Sequence, residues 1–171
     1  MAIGRNFRES IQKAYRSLEV GLHGLEPKPD EGRPLDMRKM RIPTAFRLLK
    51  VWKSFEHDAD IDEIYDITRI DRWFLRHIQA LALRNDGALD TATLRQMKRE
   101  GFSDVQIARR YARSEEDIRG MRNDAGILPV FKEVDTCAAE FEAQTAYCYS
   151  SYDRENEIRP LEGKKIVILG G

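Results

Sequence analysis

The chain carries two cysteines, Cys137 in VDTCAAEF (Val134 to Phe141) and Cys148 in YCYSSY (Tyr147 to Tyr152). A thiol can serve as a nucleophile, a metal ligand, half of a disulfide, or a small apolar packing group. Nucleophilic use needs a base beside the sulfur, yet His23, His57 and His77 all lie outside this segment. Asp135 and Glu140 flank Cys137 and would raise a thiol pKa, the opposite of activation. Two cysteines without CxxC spacing and three scattered histidines match no usual metal-ligand pattern and no disulfide framework. In a reducing compartment both should stay thiols. The remaining expectation is structural. Cys137, Phe141, Tyr147, Tyr149 and Tyr152 are predicted to fasten an extended strap over the rest of the chain, each buried aromatic contributing roughly 1.5 to 3 kcal/mol before entropy.

Other candidates for chemistry are weaker. Glu115 and Glu116 adjoin a predicted helix start, where the macrodipole favours carboxylates without acid–base work. SDVQIARRYARSEEDIRGMR has the layout of a helix-turn-helix, but its second helix opens Ser114-Glu115-Glu116-Asp117, which phosphates would repel. Trp52, Trp73 and Phe74 are expected in the core. The run IVILGG has the form of a buried strand entering a nucleotide-binding turn; a lone GG, with no helix after it to hold an anion, supports no ligand.

The elements that must position these residues are mostly helical. The 171 residues suit one domain with an appendage, and 29 basic against 29 acidic side chains create no global field for nucleic acid or an anionic membrane. No apolar run approaches the roughly 18 residues of a membrane span, and the N-terminus has charge before any apolar stretch, so an intracellular, cytoplasmic setting is expected. Charge is uneven. From Glu133 to Glu162 eight acidic residues face two arginines, so an acidic strap against a basic body and a solvated acidic linker are comparable readings.

Helix signals recur from Asn6 to Gly126. Asn6 with Glu9 has capping-box spacing before an amphipathic helix with no evident partner, and a proline-rich linker follows. Pro43 opens a helix with Phe46, Leu49, Trp52 and Phe55 on one face. Asp60 and Asp71 cap two more, the second with Phe74, Leu75, Ile78 and Leu81; Leu94 and Met97 lie on a helix ending at Gly101; Ser103 and Ser114 cap the last two. Asp62 to Ile78 superposes on Val105 to Met121 with a constant offset of 43, which predicts two small helical subdomains burying their apolar faces together. After Gly126 alternation replaces helical rhythm, as in Val130, Lys132, Val134. The fold class expected is all-α, two small helical subdomains with a possible internal duplication, followed by an extended strap.

IGRNFRESIQKAYRSLEVGLHG, IDRWFLRHI, LRQMKREGFSD, PVFKEVDTCAAEFEAQTAYCYSSY and KKIVILGG together resemble the carbamoyl-phosphate synthase large-subunit family at its helical connection, or oligomerization, domain. VDTCAAEF with the tyrosine segment is the most specific part, whereas 28–41 matches loosely and Cys148 stands where a methionine-like residue is expected. The resemblance implies residues 1–20 as the C-terminal remnant of a first ATP-grasp half, 21–130 as the helical domain, 131–162 as a connector strap, and 163–171 as the first strand of a second half. It implies no catalytic, cofactor or metal residue in the chain, with ATP and Mg2+ (or Mn2+) belonging to a parent ATP-dependent ligase. Implied partners are the ATP-grasp halves, a glutaminase small subunit and a homo-oligomer, with no nucleic acid or membrane. The alternative is a helix-turn-helix regulator.

Overall fold

A computed structural model describes residues 1–27, 36–84, 87–137, 140–141, 147–158, 163–164 and 166. The helices begin where local capping chemistry places them. α1 (Phe7–Arg16) starts after Asn6, whose side chain accepts from Glu9 N. α2 (Arg47–Glu56) lacks a side-chain cap, and a 3-10 turn, Met37–Arg41, precedes it. α3 (Ile61–Thr68) and α4 (Arg72–Ala82) follow caps Asp60 and Asp71. α5 (Thr91–Arg99) follows Asp90, and α6 (Asp104–Arg110) and α7 (Glu115–Asp124) open with complete capping boxes at Ser103 and Ser114. Each side-chain cap satisfies an otherwise orphaned N–H and contributes about 1 kcal/mol.

The duplication is visible in the backbone and reaches further than the sequence comparison indicated. Caps Asp60 and Ser103, and Asp71 and Ser114, stand 43 positions apart. So do the left-handed residues Asp58 and Gly101, and Arg69 and Ala112. Buried pairs Val51 and Leu94, Ile64 and Ile107, and Leu75 and Ile118 keep the same offset. The first helices correspond as well, so the repeat is α2-α3-α4 against α5-α6-α7. In each unit the first and third helices pack together, as do α3 with α4 and α6 with α7. One hydrophobic cluster runs through both. Arg110 of α6 reaches back to the carbonyl of Arg84 at 2.7 Å and joins the units where α4 ends and its carbonyls lack helical partners.

Three expectations are corrected here. α1 has partners: Phe7 packs its ring against Trp73 and Phe74 of α4, and Gln12 accepts from Gln106 of α6 at 3.3 Å. It therefore lies across both units. The buried face of α2 is Val51, Trp52, Ser54 and Phe55, while Phe46 precedes the helix and is exposed. The reason is that α2 begins at Arg47, four residues after Pro43, and packs between α4 and the 3-10 turn. Trp73 and Phe74 are half-exposed rather than core, because Leu75 and Ile78 already occupy the inward side of α4. Trp52 is fully buried, its indole N–H donating to Glu56 at 2.9 Å.

The strap pairs with itself. β1 (Val130–Val134) and β2 (Tyr147–Ser151) form an antiparallel ladder with Lys132 opposite Tyr149. The strand expected over 163–171 lies almost entirely outside the described residues.

Candidate functional site

In an antiparallel pair, directly opposed residues point to the same side. The register therefore puts Val130, Lys132 and Val134 with Tyr147, Tyr149 and Ser151 on one face, and Phe131, Glu133, Cys148 and Ser150 on the other. Lys132 and Ser151 are buried, whereas all four residues of the second face are exposed. The first face is the one turned to the helices.

The predicted strap residues divide accordingly. Tyr149 and Tyr152 are half-buried, and Tyr152 packs against the core. Cys137 is half-buried after β1, its N–H donating to Asp135 at 2.9 Å, and is a free thiol. Phe141 and Tyr147 are 76% and 61% exposed, so burial of these two is corrected. Phe141 falls in the connection between the strands and Tyr147 opens β2 at that same loop end, so neither supplies the hydrophobic anchorage expected of it. Cys148, opposite Glu133, faces outward.

What seats the strap is charge. Tyr152 lies over Lys98 Nζ, 4.7 Å from the ring centroid, and Arg122 approaches the same ring at 5.6 Å. Beneath it Lys98, only 5% exposed, donates to Asp104 at 2.6 Å and to the Phe102 carbonyl at 2.9 Å. Arg122 of α7 bonds the other oxygen of Asp104 at 3.2 Å. One position further on, Asp153 takes Arg5 at 3.1 Å and Arg99 at 3.4 Å. Lys132 pairs with Glu157 at 2.9 Å. Lys13 of α1 meets the strap at the Ser150 carbonyl and beneath the Tyr149 ring. Of the acidic residues in this segment, Asp153 therefore meets cations outside the strap, whereas Glu157 pairs with Lys132 of the strap itself and Glu133, Asp135, Glu140 and Glu155 are exposed.

Proton affinities follow. Burial pushes the Lys98 ammonium down, opposed by its bond to Asp104. Burial pushes Asp104 up, but the hydrogen bonds and charges of Lys98 and Arg122 outweigh it and hold the carboxyl below its usual value. The backbone N–H of Arg154, then Arg99, lowers Asp153, and the bond from Lys132 lowers Glu157. Burial raises the Tyr152 phenol. At neutral pH the carboxylates are thus charged and the tyrosine is not.

Two clefts border the strap. One, of about 400 Å³, is lined by Arg5, Arg8, His77, Arg99, Glu100 and Asp153 among others. The other, of about 350 Å³, includes Lys13, Arg16, Lys98, Asp104 and Tyr152. Among the described residues no three His, Cys, Asp or Glu converge as a metal site. No described helix is long and apolar enough to cross a membrane. Of these features only the acidic bias of the strap was detectable in sequence; the cations that meet it come from α1, α5 and α7, far apart in the chain.

These observations define a class: a helical packing module of two related three-helix units, clamped across its junction by α1 and strapped by a hairpin through ion pairs. The family profile "Carbamoyl-phosphate synthetase large chain, oligomerisation domain" matches residues 1–126. Carbamoyl phosphate synthase large chains from Pseudomonas aeruginosa and Vibrio cholerae are 41% and 43% identical over 100% of this chain, which spans 17% of each of them. That of Neisseria meningitidis is 43% identical over 100% of this chain and 16% of its own length. The chain belongs to the carbamoyl-phosphate synthetase large-chain oligomerisation domain family. Membership sets aside the helix-turn-helix alternative, in keeping with the exposed Glu115, Glu116 and Asp117 that open α7.

Proposed function

We propose that this chain is a noncatalytic joining segment that fixes the spacing of two ATP-grasp halves in a carbamoyl phosphate synthase large chain and offers a surface for self-association. In this reading residues 1–20 end the first half, 21–130 form the helical spacer, 131–162 are the connector, and 163–171 begin the second half. The halves hold ATP and Mg2+ or Mn2+, take ammonia from a glutaminase small subunit, and make carbamoyl phosphate from it with bicarbonate in the cytoplasm. The observation that carries the proposal is the Arg5–Asp153–Arg99 bridge. It ties the segment entering the block to the segment leaving it, so a rearrangement on one side is passed on by packed helices that shift as units.

The test uses the longer polypeptide. Arg5→Ala with Asp153→Ala should preserve the partial reaction of each half while increasing the ATP consumed per carbamoyl phosphate released. Unchanged stoichiometry would overturn the spacer role. For self-association, light scattering of the 171-residue chain should give a mass that rises with concentration; a constant monomer mass would remove that part of the proposal.

A further inference from the structure

The larger cleft has an electrostatic imbalance that the joining role leaves unused. Three guanidiniums line it: Arg5 just before α1, Arg8 in the first turn of α1, and Arg99 from the end of α5. Three carboxylates line it too, but two of them, Glu9 and Glu100, are already held by cations that do not face the cleft, and Lys132 near the third is shared with Glu157. Glu9 has Lys13 at 2.8 Å on one oxygen, and its other oxygen accepts from the backbone of Arg5 at 2.7 Å. Glu100, buried, has Arg84 on one oxygen and shares the other between Arg8 at 2.7 Å and Gln96 at 3.1 Å. Asp153 has Lys132 at 3.9 Å and the Arg154 N–H at 2.9 Å, and is divided between Arg5 and Arg99. Positive charge is thus in excess toward the cleft.

The guanidiniums are also presented in a fixed way. His77 Nδ1 accepts from Arg8 Nε at 3.2 Å, and the imidazole is itself wedged 4.3 Å from the Trp73 ring. Burial and the charge of Arg8 lower the His77 pKa, so the ring serves as a neutral acceptor that orients Arg8. The side chains of Arg5, Arg8 and Arg99 keep 52%, 28% and 36% exposure, so their remaining donors are reachable from solvent. Forked guanidiniums on two helices recognise planar or tetrahedral oxyanions through paired hydrogen bonds, which a monatomic ion cannot bridge.

We propose that the cleft between α1, α4, α5 and the Ser151–Asp153 segment binds a small multivalent oxyanion, bearing phosphate or carboxylate groups, through Arg5, Arg8 and Arg99. Ser151, Tyr152 and Asp153 form one wall of the cleft. The site is complete only with the strap docked, and the ligand holds the strap in place.

Isothermal calorimetry on the 171-residue chain at constant ionic strength tests this, with pyrophosphate and citrate as separate probes and sodium chloride as the salt control. Saturable binding of either probe is expected, together with slower proteolysis between Tyr147 and Glu157. Pyrophosphate alone assigns phosphate, citrate alone assigns carboxylate, and both together assign the oxyanion class. Arg99→Gln should weaken binding at least tenfold, whereas Arg119→Gln, on the exposed side of α7, should bind as the parent chain does. Arg99→Gln leaves no buried carboxylate without a partner, so it remains decisive if Arg8→Gln fails to fold. Heats no larger than those of sodium chloride, or equal binding by Arg99→Gln and Arg119→Gln, would overturn the proposal.

Discussion

Arg5 Nε and Asp153 Oδ2 lie 3.1 Å apart although 148 positions separate them in the chain. The contact closes the molecule on itself: the residue that leads into α1 grips the residue that follows β2, and Arg99 at the end of α5 shares the same carboxylate. A strap with two tyrosines half-buried and three further aromatics, Phe131, Phe141 and Tyr147, exposed is seated by this and the neighbouring ion pairs.

Asp153→Asn should therefore loosen the strap without unfolding the helices. Asp153 is partly solvated, so the change is expected to cost about 1 kcal/mol or less. Hydrogen exchange at the β1 and β2 amides reads it, with α3 and α4 as the internal reference. Protection equal to that of the parent chain in 10 mM and 500 mM salt would show that the ion pairs do not hold the strap, since added salt shortens the screening length and weakens exposed pairs.

Acid should act on the same contacts. Asp104, Asp153 and Glu157 all have depressed folded-state values, so their stabilisation is fully present above the ordinary carboxylate range, about pH 4. It is lost as pH falls through the lower folded-state values. Strap release, followed by hydrogen exchange, should begin below about pH 4 and precede loss of helical ellipticity. Release between pH 6 and 8 would contradict the assignment, because none of these three groups titrates there.

Lys98→Ala removes a buried ammonium and leaves Asp104 paired with Arg122 alone. Breaking a buried pair from one side costs about 3 to 5 kcal/mol, far more than an exposed pair. Denaturant titration should show a loss of that size, against less than about 1 kcal/mol for Arg119→Ala at the exposed pair with Glu115. Equal losses for the two would mean that Lys98 is more solvated than its 5% exposure implies.

Two glycines should respond in opposite directions to alanine. Gly101 has φ +86°, and a Cβ there would stand 2.8 Å from the Glu9 Cα, so Gly101→Ala should displace α1 and lower the melting temperature. Gly120, within α7, has nothing within 4 Å of a built Cβ, and alanine there should stabilise by about 0.5 to 1 kcal/mol. Thermal melts of the two variants check both signs.

Local chemistry made much of the helical plan legible. A cap is a bond between a side chain and a backbone N–H two or three residues on, so Asn6, Asp60, Asp71, Ser103 and Ser114 announce their helices without help from the rest of the chain. Ile64, Leu75, Ile107 and Ile118 are buried as their spacing predicts, and their common offset of 43 exposes the repeat. Phe46, Trp73 and Phe74 went the other way, because residue type and spacing do not say that α2 begins only at Arg47 or that Leu75 and Ile78 take the inward side of α4.

By itself the sequence determined most of the helix starts, that of α2 excepted, the doubled helical unit, the acidity of the strap and the family to which the chain belongs, all of which are written in short-range patterns or in similarity to relatives. Only the tertiary structure decided that α1 spans both units, that β1 pairs with β2, and that Asp153 and Tyr152 find their cations at Arg5 before α1, on α5 and on α7. Such contacts join residues from 13 to 148 positions apart. Their energy depends on desolvation and geometry, which exist only once the chain has brought the partners together.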